Sequence, residues 1–166
     1  MLFILLFQII ICNAQVKKSI NIDTKSEALK FSLQVIKTLF ENNCSRYLKN
    51  FNDTIYNFSD NKVIKVVTYK DVICTSYSRA IRDKRFTYNN YLLNFKTQVF
   101  TQKEIILKHP EIKMGGGFLP LESDFIFVGN LARLKSTDSF NLIWDDMFGF
   151  VVRKIKGSWK IISIGG

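Results

Sequence analysis

The sequence predicts an α+β fold in which helices come first and antiparallel strands follow. In the first half of the chain, apolar residues recur at steps of three and four, which is typical of amphipathic helices. After Phe86 they recur at steps of two, which is typical of half-buried strands. The chain has 166 residues and no change of composition along its length, so we expect one domain with its own hydrophobic core.

The N-terminal segment is a 14-residue apolar run without a charged side chain. It is too short to cross a membrane as a helix, which needs about 20 apolar residues. It ends in Cys12-Asn13-Ala14, with small residues at the two positions that a signal peptidase reads, although the usual basic residues at the start are missing. A buried N-terminal element is the alternative. We expect a signal peptide over residues 1–14, a mobile lead-in over 15–23 and a single domain over 24–166.

This leader predicts a secreted or periplasmic protein, cleaved near Ala14 and without a membrane span. The chain is strongly basic, with 24 Lys and Arg against 14 Asp and Glu, a net charge of +10. The basic residues are scattered and form no long block, which favours a solvated basic surface. Export excludes nucleic acid as a partner, while an anionic polysaccharide, a lipid or an acidic protein remains an alternative.

Cysteine usage fits an oxidising compartment. Cleavage removes Cys12 and leaves Cys44 and Cys74, which can close one disulfide loop of about 30 residues. Two buried thiols are the alternative. With these cysteines and a single histidine, the sequence has no zinc constellation and no EF-hand spacing, so we expect no metal and no cofactor.

Apolar spacing and capping boxes predict four helices. A Thr24-Lys25-Ser26-Glu27 box begins the first helix, and a Thr101-Gln102-Lys103-Glu104 box begins the last. The four helices run from Thr24 to about Glu41, from Ser45 to Phe51, from Tyr69 to Ile81, and from Thr101 to Lys108, where Pro110 stops the last one.

Alternating apolar residues predict five strands. They are Thr54 to Phe58, Tyr91 to Phe100, Phe125 to Leu134, Leu142 to Ile155, and Trp159 to Ile164. Lys156-Gly157 suits a tight turn between the last two strands, and Gly115 to Gly117 reads as a flexible connector.

The order of elements resembles the nuclear-transport-factor-2-like superfamily, a cystatin-like cone fold. The chain also carries that superfamily's closing pattern, an aromatic strand, a glycine turn and a strand with a tryptophan, from Phe148 to Ile164. The resemblance covers about residues 24 to 166. It implies helices packed inside a strongly curved antiparallel sheet, with a pocket inside the cone. Such folds also pair through the outer face of the sheet, so the resemblance allows a homodimer.

Three residues are candidates for chemistry. Asp146 follows Asp145 in a strand pattern, so one of the two carboxylates points toward the core, where a raised pKa would suit a general base. A turn with both carboxylates in water is the alternative. Asp124 lies before an apolar strand and could stand at the rim of the cone. His109 is the only histidine, and capping of a helix end is its alternative role.

These observations predict a binding or protein-interaction role, with a small apolar ligand or a protein as partner. The alternative is a pocket enzyme, an isomerase, dehydratase or hydrolase with an Asp base and a Tyr hydroxyl. An open apolar cavity with a carboxylate near a tyrosine would favour the enzyme. A cavity filled by phenylalanine side chains would argue against it.

Overall fold

The protein has a mixed α+β fold built on an open, curved sheet. The structure, a computed structural model, describes residues 23–41, 43–80, 87–108, 110, 117–133 and 149–165. In chain order the elements are α1 (23–40), α2 (Cys44–Leu48), β1 (Phe51–Asn57), β2 (Lys62–Lys65), α3 (Lys70–Ala80), α4 (Tyr88–Asn94), β3 (Phe95–Phe100), α5 (Gln102–Lys108), β4 (Phe125–Arg133), β5 (Gly149–Ile155) and β6 (Ser158–Gly165).

The six strands of these described ranges form one sheet in the order β2-β1-β6-β5-β4-β3. Strands β1 and β6 pair in parallel, with Tyr56 opposite Ser163, whereas all other neighbours are antiparallel. The hairpin between β5 and β6 turns at Lys156 and Gly157, both with positive φ (49° and 81°). Positive φ at both positions is what a two-residue hairpin turn requires, so the predicted turn is confirmed.

The inner face of the sheet packs against the helices. Buried residues of α1, α3 and α4 form one core with apolar residues from all six strands: Ala28, Val35, Ile36, Leu39, Ile73, Tyr91, Phe51, Ile55, Ile64, Phe95, Val99, Phe125, Phe127, Phe150, Val152 and Ile161. The rings of Phe127 and Phe150 face each other across β4 and β5, with centroids 4.7 Å apart. Aromatic side chains therefore fill much of the space that the sheet encloses.

The outer face of the sheet carries a second core. Ile126, Val128, Val151 and Ile162 are buried there together with Phe100 and with Ile105 of α5, and Phe118 packs against them. The Phe118 ring also stacks on Tyr56, with centroids 5.4 Å apart. Helix α5 and the segment before β4 therefore cover part of the face that the resemblance assigned to pairing between copies.

A disulfide joins α2 to α3. Cys44 and Cys74 are bonded, with their Cα atoms 5.7 Å apart, which is one of the two states that the cysteine count left open. Helix α2 begins where the side chain of Asn43 accepts a hydrogen bond from the backbone N–H of Arg46 (3.0 Å).

Several predicted elements are confirmed to within about one residue, namely the first helix, the third helix, the helix after Thr101 and the strands that begin at Phe125 and Trp159. The second helix ends at Leu48, earlier than predicted, because Phe51 already belongs to β1. The predicted strand over 91–100 was wrong in its first part, where residues 91–94 belong to α4. Strand β2 was not predicted. Leu142 to Phe148 and Gly115 to Gly116 lie outside the described residues.

Candidate functional site

The inner face of the sheet is packed rather than open in the described part of the chain. Phe125, Phe127 and Phe150 are all buried there, and Tyr91 is fully buried. The Tyr91 hydroxyl donates a hydrogen bond to the carbonyl of Gly129 (2.5 Å). Burial, with a smaller contribution from Tyr88, raises the pKa of Tyr91 far above its ordinary value, so the hydroxyl stays protonated. Tyr91 therefore supports the core as a hydrogen-bond donor.

Asp124 is fully buried in an ion pair with Arg153. Its Oδ1 accepts from Nε of Arg153 (2.7 Å), and its Oδ2 accepts from Nη2 of Arg153 (2.8 Å) and from the backbone N–H of Leu121 (2.8 Å). The hydrogen bond with Asp124 raises the pKa of the Arg153 guanidinium, which stays charged. The structure thus gives this candidate residue a structural contact: Asp124 joins the turn that precedes β4 to Arg153 on strand β5.

The other two candidates, Asp146 and His109, lie outside the described residues, as does Asp145. Within those residues, no group of three or more His, Cys, Asp or Glu side chains is close enough to hold a metal ion. No helix in the same ranges has the length and apolar character needed to cross a bilayer.

An open groove lies where α2, the start of β1 and the turn between β2 and α3 meet. Its volume is about 400 Å³. The apolar part of the lining is Leu48, Phe51, Val66 and Val67, and the polar part is Ser45, Asn52, Asp53 and Lys70. Phe51 and Val66 are buried, whereas Val67 is 80% exposed, so apolar surface at this groove is in contact with water.

Covalent and hydrogen-bonded contacts hold the walls of the groove. The Cys44–Cys74 disulfide joins the two helices that supply Ser45, Leu48 and Lys70. Beyond α2, the Asn50 side chain donates to the carbonyl of Tyr47 (3.0 Å), and the Asn50 carbonyl accepts from the backbone N–H of Ile161 (2.8 Å). A groove with fixed walls loses less conformational entropy when it binds a ligand.

Sequence reasoning selected none of the residues that line this groove. They come from α2, β1, the turn after β2 and the start of α3, and nothing in their order along the chain predicts that they meet. The only local signal is the pair Val66-Val67, which follows a strand of mostly exposed residues.

Comparison with known proteins gives no match: no family model, no curated protein and no solved structure matches this chain.

Proposed function

We propose that this chain is an exported binding protein with a nuclear-transport-factor-2-like cone fold, and that the groove between α2 and the β2–α3 turn holds a small apolar ligand. One observation carries the proposal: the groove has the buried apolar residues Phe51 and Val66 beside exposed polar residues such as Lys70. Its volume lies at the lower end of the range of ligand sites, about 300–1,000 Å³. The inner face of the sheet, by contrast, is filled by aliphatic and aromatic side chains in the described residues.

The cone fold is supported by the topology. A curved sheet carries helices on its inner face, and its last strand, β6, lies between β1 and β5. Export is supported by the apolar leader and by the Cys44–Cys74 disulfide, because disulfides persist in oxidising compartments. The mature protein is expected to begin at Gln15, which N-terminal sequencing of the secreted protein would check. A secreted protein that retains Met1 would contradict export by cleavage.

A pocket enzyme is the weaker proposal. It requires an Asp carboxylate and a Tyr hydroxyl within reach of one substrate. Tyr91 belongs to the inner core, whereas Asp124 precedes the inward-facing Phe125 and, because side chains alternate along a strand, points to the outer face. These two buried groups therefore lie on opposite sides of the sheet.

A fluorescent probe tests the groove. Anilinonaphthalenesulfonate has apolar rings for Phe51 and Val66 and a sulfonate that Lys70 can meet. We expect the mature protein to enhance its fluorescence saturably. Val67→Glu places a carboxylate on the groove and is expected to weaken binding roughly tenfold, which corresponds to about 1.4 kcal/mol.

Val72→Glu is the matched control. Val72 is also an exposed valine, on α3, but it does not line the groove. Its variant is expected to bind the probe as the wild type does. Equal weakening by both variants, or no effect of Val67→Glu, would remove the groove as the site. Native mass spectrometry of the secreted protein would then show whether a ligand is retained elsewhere.

A further inference from the structure

The groove between α2 and the turn after β2 is lined by one acidic and one basic residue, Asp53 and Lys70. Both are exposed, and they share the lining with the buried apolar residues Phe51 and Val66. A ligand in this groove therefore meets apolar surface together with two charges of opposite sign.

The backbone holds the two charged residues near one apolar residue. The carbonyl of Asp53 accepts a hydrogen bond from the backbone N–H of Val66 (2.9 Å), so these two residues are neighbours. Lys70 follows Val66 by four positions and begins α3. The chain turns tightly before it, because the carbonyl of Lys65 accepts from the backbone N–H of Tyr69 (3.2 Å). Two different elements, β1 and α3, thus bring opposite charges to the same apolar residue.

The protein itself neutralises neither charge in the described part of the chain. The ion pairs there join other residues: Lys25–Glu104, Arg46–Glu41, Lys62–Asp60, Lys103–Glu122, Arg153–Asp124 and Lys154–Glu27. Asp53 and Lys70 do not pair with each other either. A carboxylate and an ammonium that stay apart in one groove can each bind a ligand group of the opposite charge.

The other described charges around the groove leave a small positive excess. Two nearby cations are already paired, and three exposed charged residues on the neighbouring elements do not line the groove. The first group is Arg46 and Lys62, and the second is Lys49, Lys65 and Asp71. Two lysines against one aspartate leave one positive charge, which salt screens. The lining itself has one charge of each sign, so it does not select a simple anion.

We propose that the groove binds an apolar zwitterion, namely a free apolar amino acid or a dipeptide with apolar side chains. This inference rests on the proposed function, because it assigns a chemical class to the ligand of the same groove. Asp53 accepts from the ligand's ammonium, Lys70 donates to its carboxylate, and the apolar side chain packs against Phe51 and Val66. A volume of about 400 Å³ is near the lower end of the range of ligand sites and suits a molecule of this size.

A series of compounds with one phenyl group tests the class of ligand. L-phenylalanine has both charges, 3-phenylpropionate lacks the ammonium, phenethylamine lacks the carboxylate, and 2-phenylethanol lacks both. NMR titration of the ¹⁵N-labelled mature protein in about 20 mM salt, where screening is weak, measures each affinity. We expect each charged contact to strengthen binding about threefold, so L-phenylalanine binds roughly tenfold more tightly than 2-phenylethanol. L-leucyl-L-phenylalanine carries its charges further apart, and its affinity relative to L-phenylalanine distinguishes a dipeptide from a free amino acid.

Two variants remove the charges of the groove one at a time. Asp53→Asn is expected to weaken L-phenylalanine about threefold and to leave 3-phenylpropionate, which has no ammonium, unweakened. Lys70→Gln is expected to weaken L-phenylalanine by a similar factor and to leave phenethylamine unweakened. A merely structural role of either residue would not produce this selective loss.

The matched controls are Asp71→Asn and Lys65→Gln. Each removes one exposed charge next to the groove but outside its lining. Both variants are expected to bind L-phenylalanine as the wild type does.

The outcomes separate this inference from the proposed function. If no phenyl compound shifts the amide signals of Val66 and Val67, no apolar ligand occupies the groove and both proposals fail. If all compounds shift these signals with one common affinity, or if Asp53→Asn and Lys70→Gln weaken all of them equally, the groove binds apolar ligands without recognising their charges, and only the zwitterion is overturned. Equal weakening of L-phenylalanine by the control variants would assign the charge effect to the surrounding surface and would overturn the roles of Asp53 and Lys70.

Discussion

Asp124 and Arg153 meet through two parallel hydrogen bonds, with Oδ1 2.7 Å from Nε and Oδ2 2.8 Å from Nη2. Asp124 is fully buried, while the Arg153 side chain is 30% exposed. The second carboxylate oxygen also accepts from the backbone of Leu121. One carboxylate therefore connects β5 with the turn that leads into β4. This turn is the end of the segment that covers the outer face of the sheet.

Removal of Asp124 is expected to be costly. Asp124→Ala leaves the Arg153 guanidinium without its partner and the Leu121 N–H without an acceptor, so we expect a loss of about 3 kcal/mol in the free energy of unfolding. Urea unfolding measures it. Asp60→Ala is the control, because it removes an exposed ion pair with Lys62 and is expected to cost less than about 1 kcal/mol. If both variants lost the same free energy of unfolding, the buried Asp124–Arg153 pair would contribute no more to stability than the exposed Asp60–Lys62 pair.

The acid sensitivity of α5 follows from Glu104. Burial by itself raises the pKa of Glu104, but hydrogen bonds from the Lys25 ammonium (2.6 and 2.8 Å) and the Thr101 N–H lower it below its ordinary value of 4.5. A pKa lowered by folding adds stability above the unfolded value, and this stability is lost as the pH falls through the folded value.

We therefore expect Glu104→Gln to be less stable than the wild type at neutral pH. The difference in unfolding free energy should shrink as the pH falls below 4.5 and vanish below the folded pKa. Urea titrations at several pH values between 2 and 7 would measure this difference. A difference that is the same at every pH would mean that the charge of Glu104 is not what stabilises the contact.

Two glycines offer a matched test of backbone packing. A Cβ atom at Gly149 would lie 2.6 Å from the carbonyl oxygen of Phe127 on β4, whereas a Cβ at Gly117 would have no atom within 4 Å. Because a carbonyl oxygen in a paired strand cannot move aside, Gly149→Ala is expected to cost about 1–3 kcal/mol. Gly117→Ala is expected to change stability by less than about 0.5 kcal/mol. Thermal melting of both variants checks the contrast, and a stable Gly149→Ala would place β4 and β5 further apart.

The sequence predicts elements well where a local signal and burial agree. The Thr101–Glu104 box predicts α5, and the structure shows both of its hydrogen bonds. The prediction fails at Tyr91 to Asn94, where alternation suggests a strand. There, Thr87 and Asn90 form a capping box that begins α4, but Asn at its last position does not match the S/T-x-x-E form used to find helix starts. Tyr91 is part of this helix and packs into the core. Strand β2 is missed because three of its four residues are exposed at the sheet edge.

The candidate sites were harder to predict for a physical reason. A buried carboxylate at Asp124 can be a base or half of an ion pair, and the distinction depends on Arg153, which lies 29 residues away in sequence. The groove depends on α2, β1 and the turn after β2 meeting in space. Leu107, Leu119 and Leu121 are exposed in the layer that covers the outer face, yet in sequence they look the same as buried leucines.

The disulfide is expected to control both stability and the groove. Cys44 and Cys74 are separated by 30 positions, and a loop of this length predicts a loss of about 3–4 kcal/mol when the bond is removed. Urea unfolding of Cys44→Ser/Cys74→Ser, in a protein that begins at Gln15 and therefore lacks Cys12, measures this loss. Because the bond joins the two helices that line the groove, the double variant should also bind anilinonaphthalenesulfonate more weakly at urea concentrations where it is still folded. Unchanged probe affinity alongside the lost stability would mean that packing alone holds the groove walls.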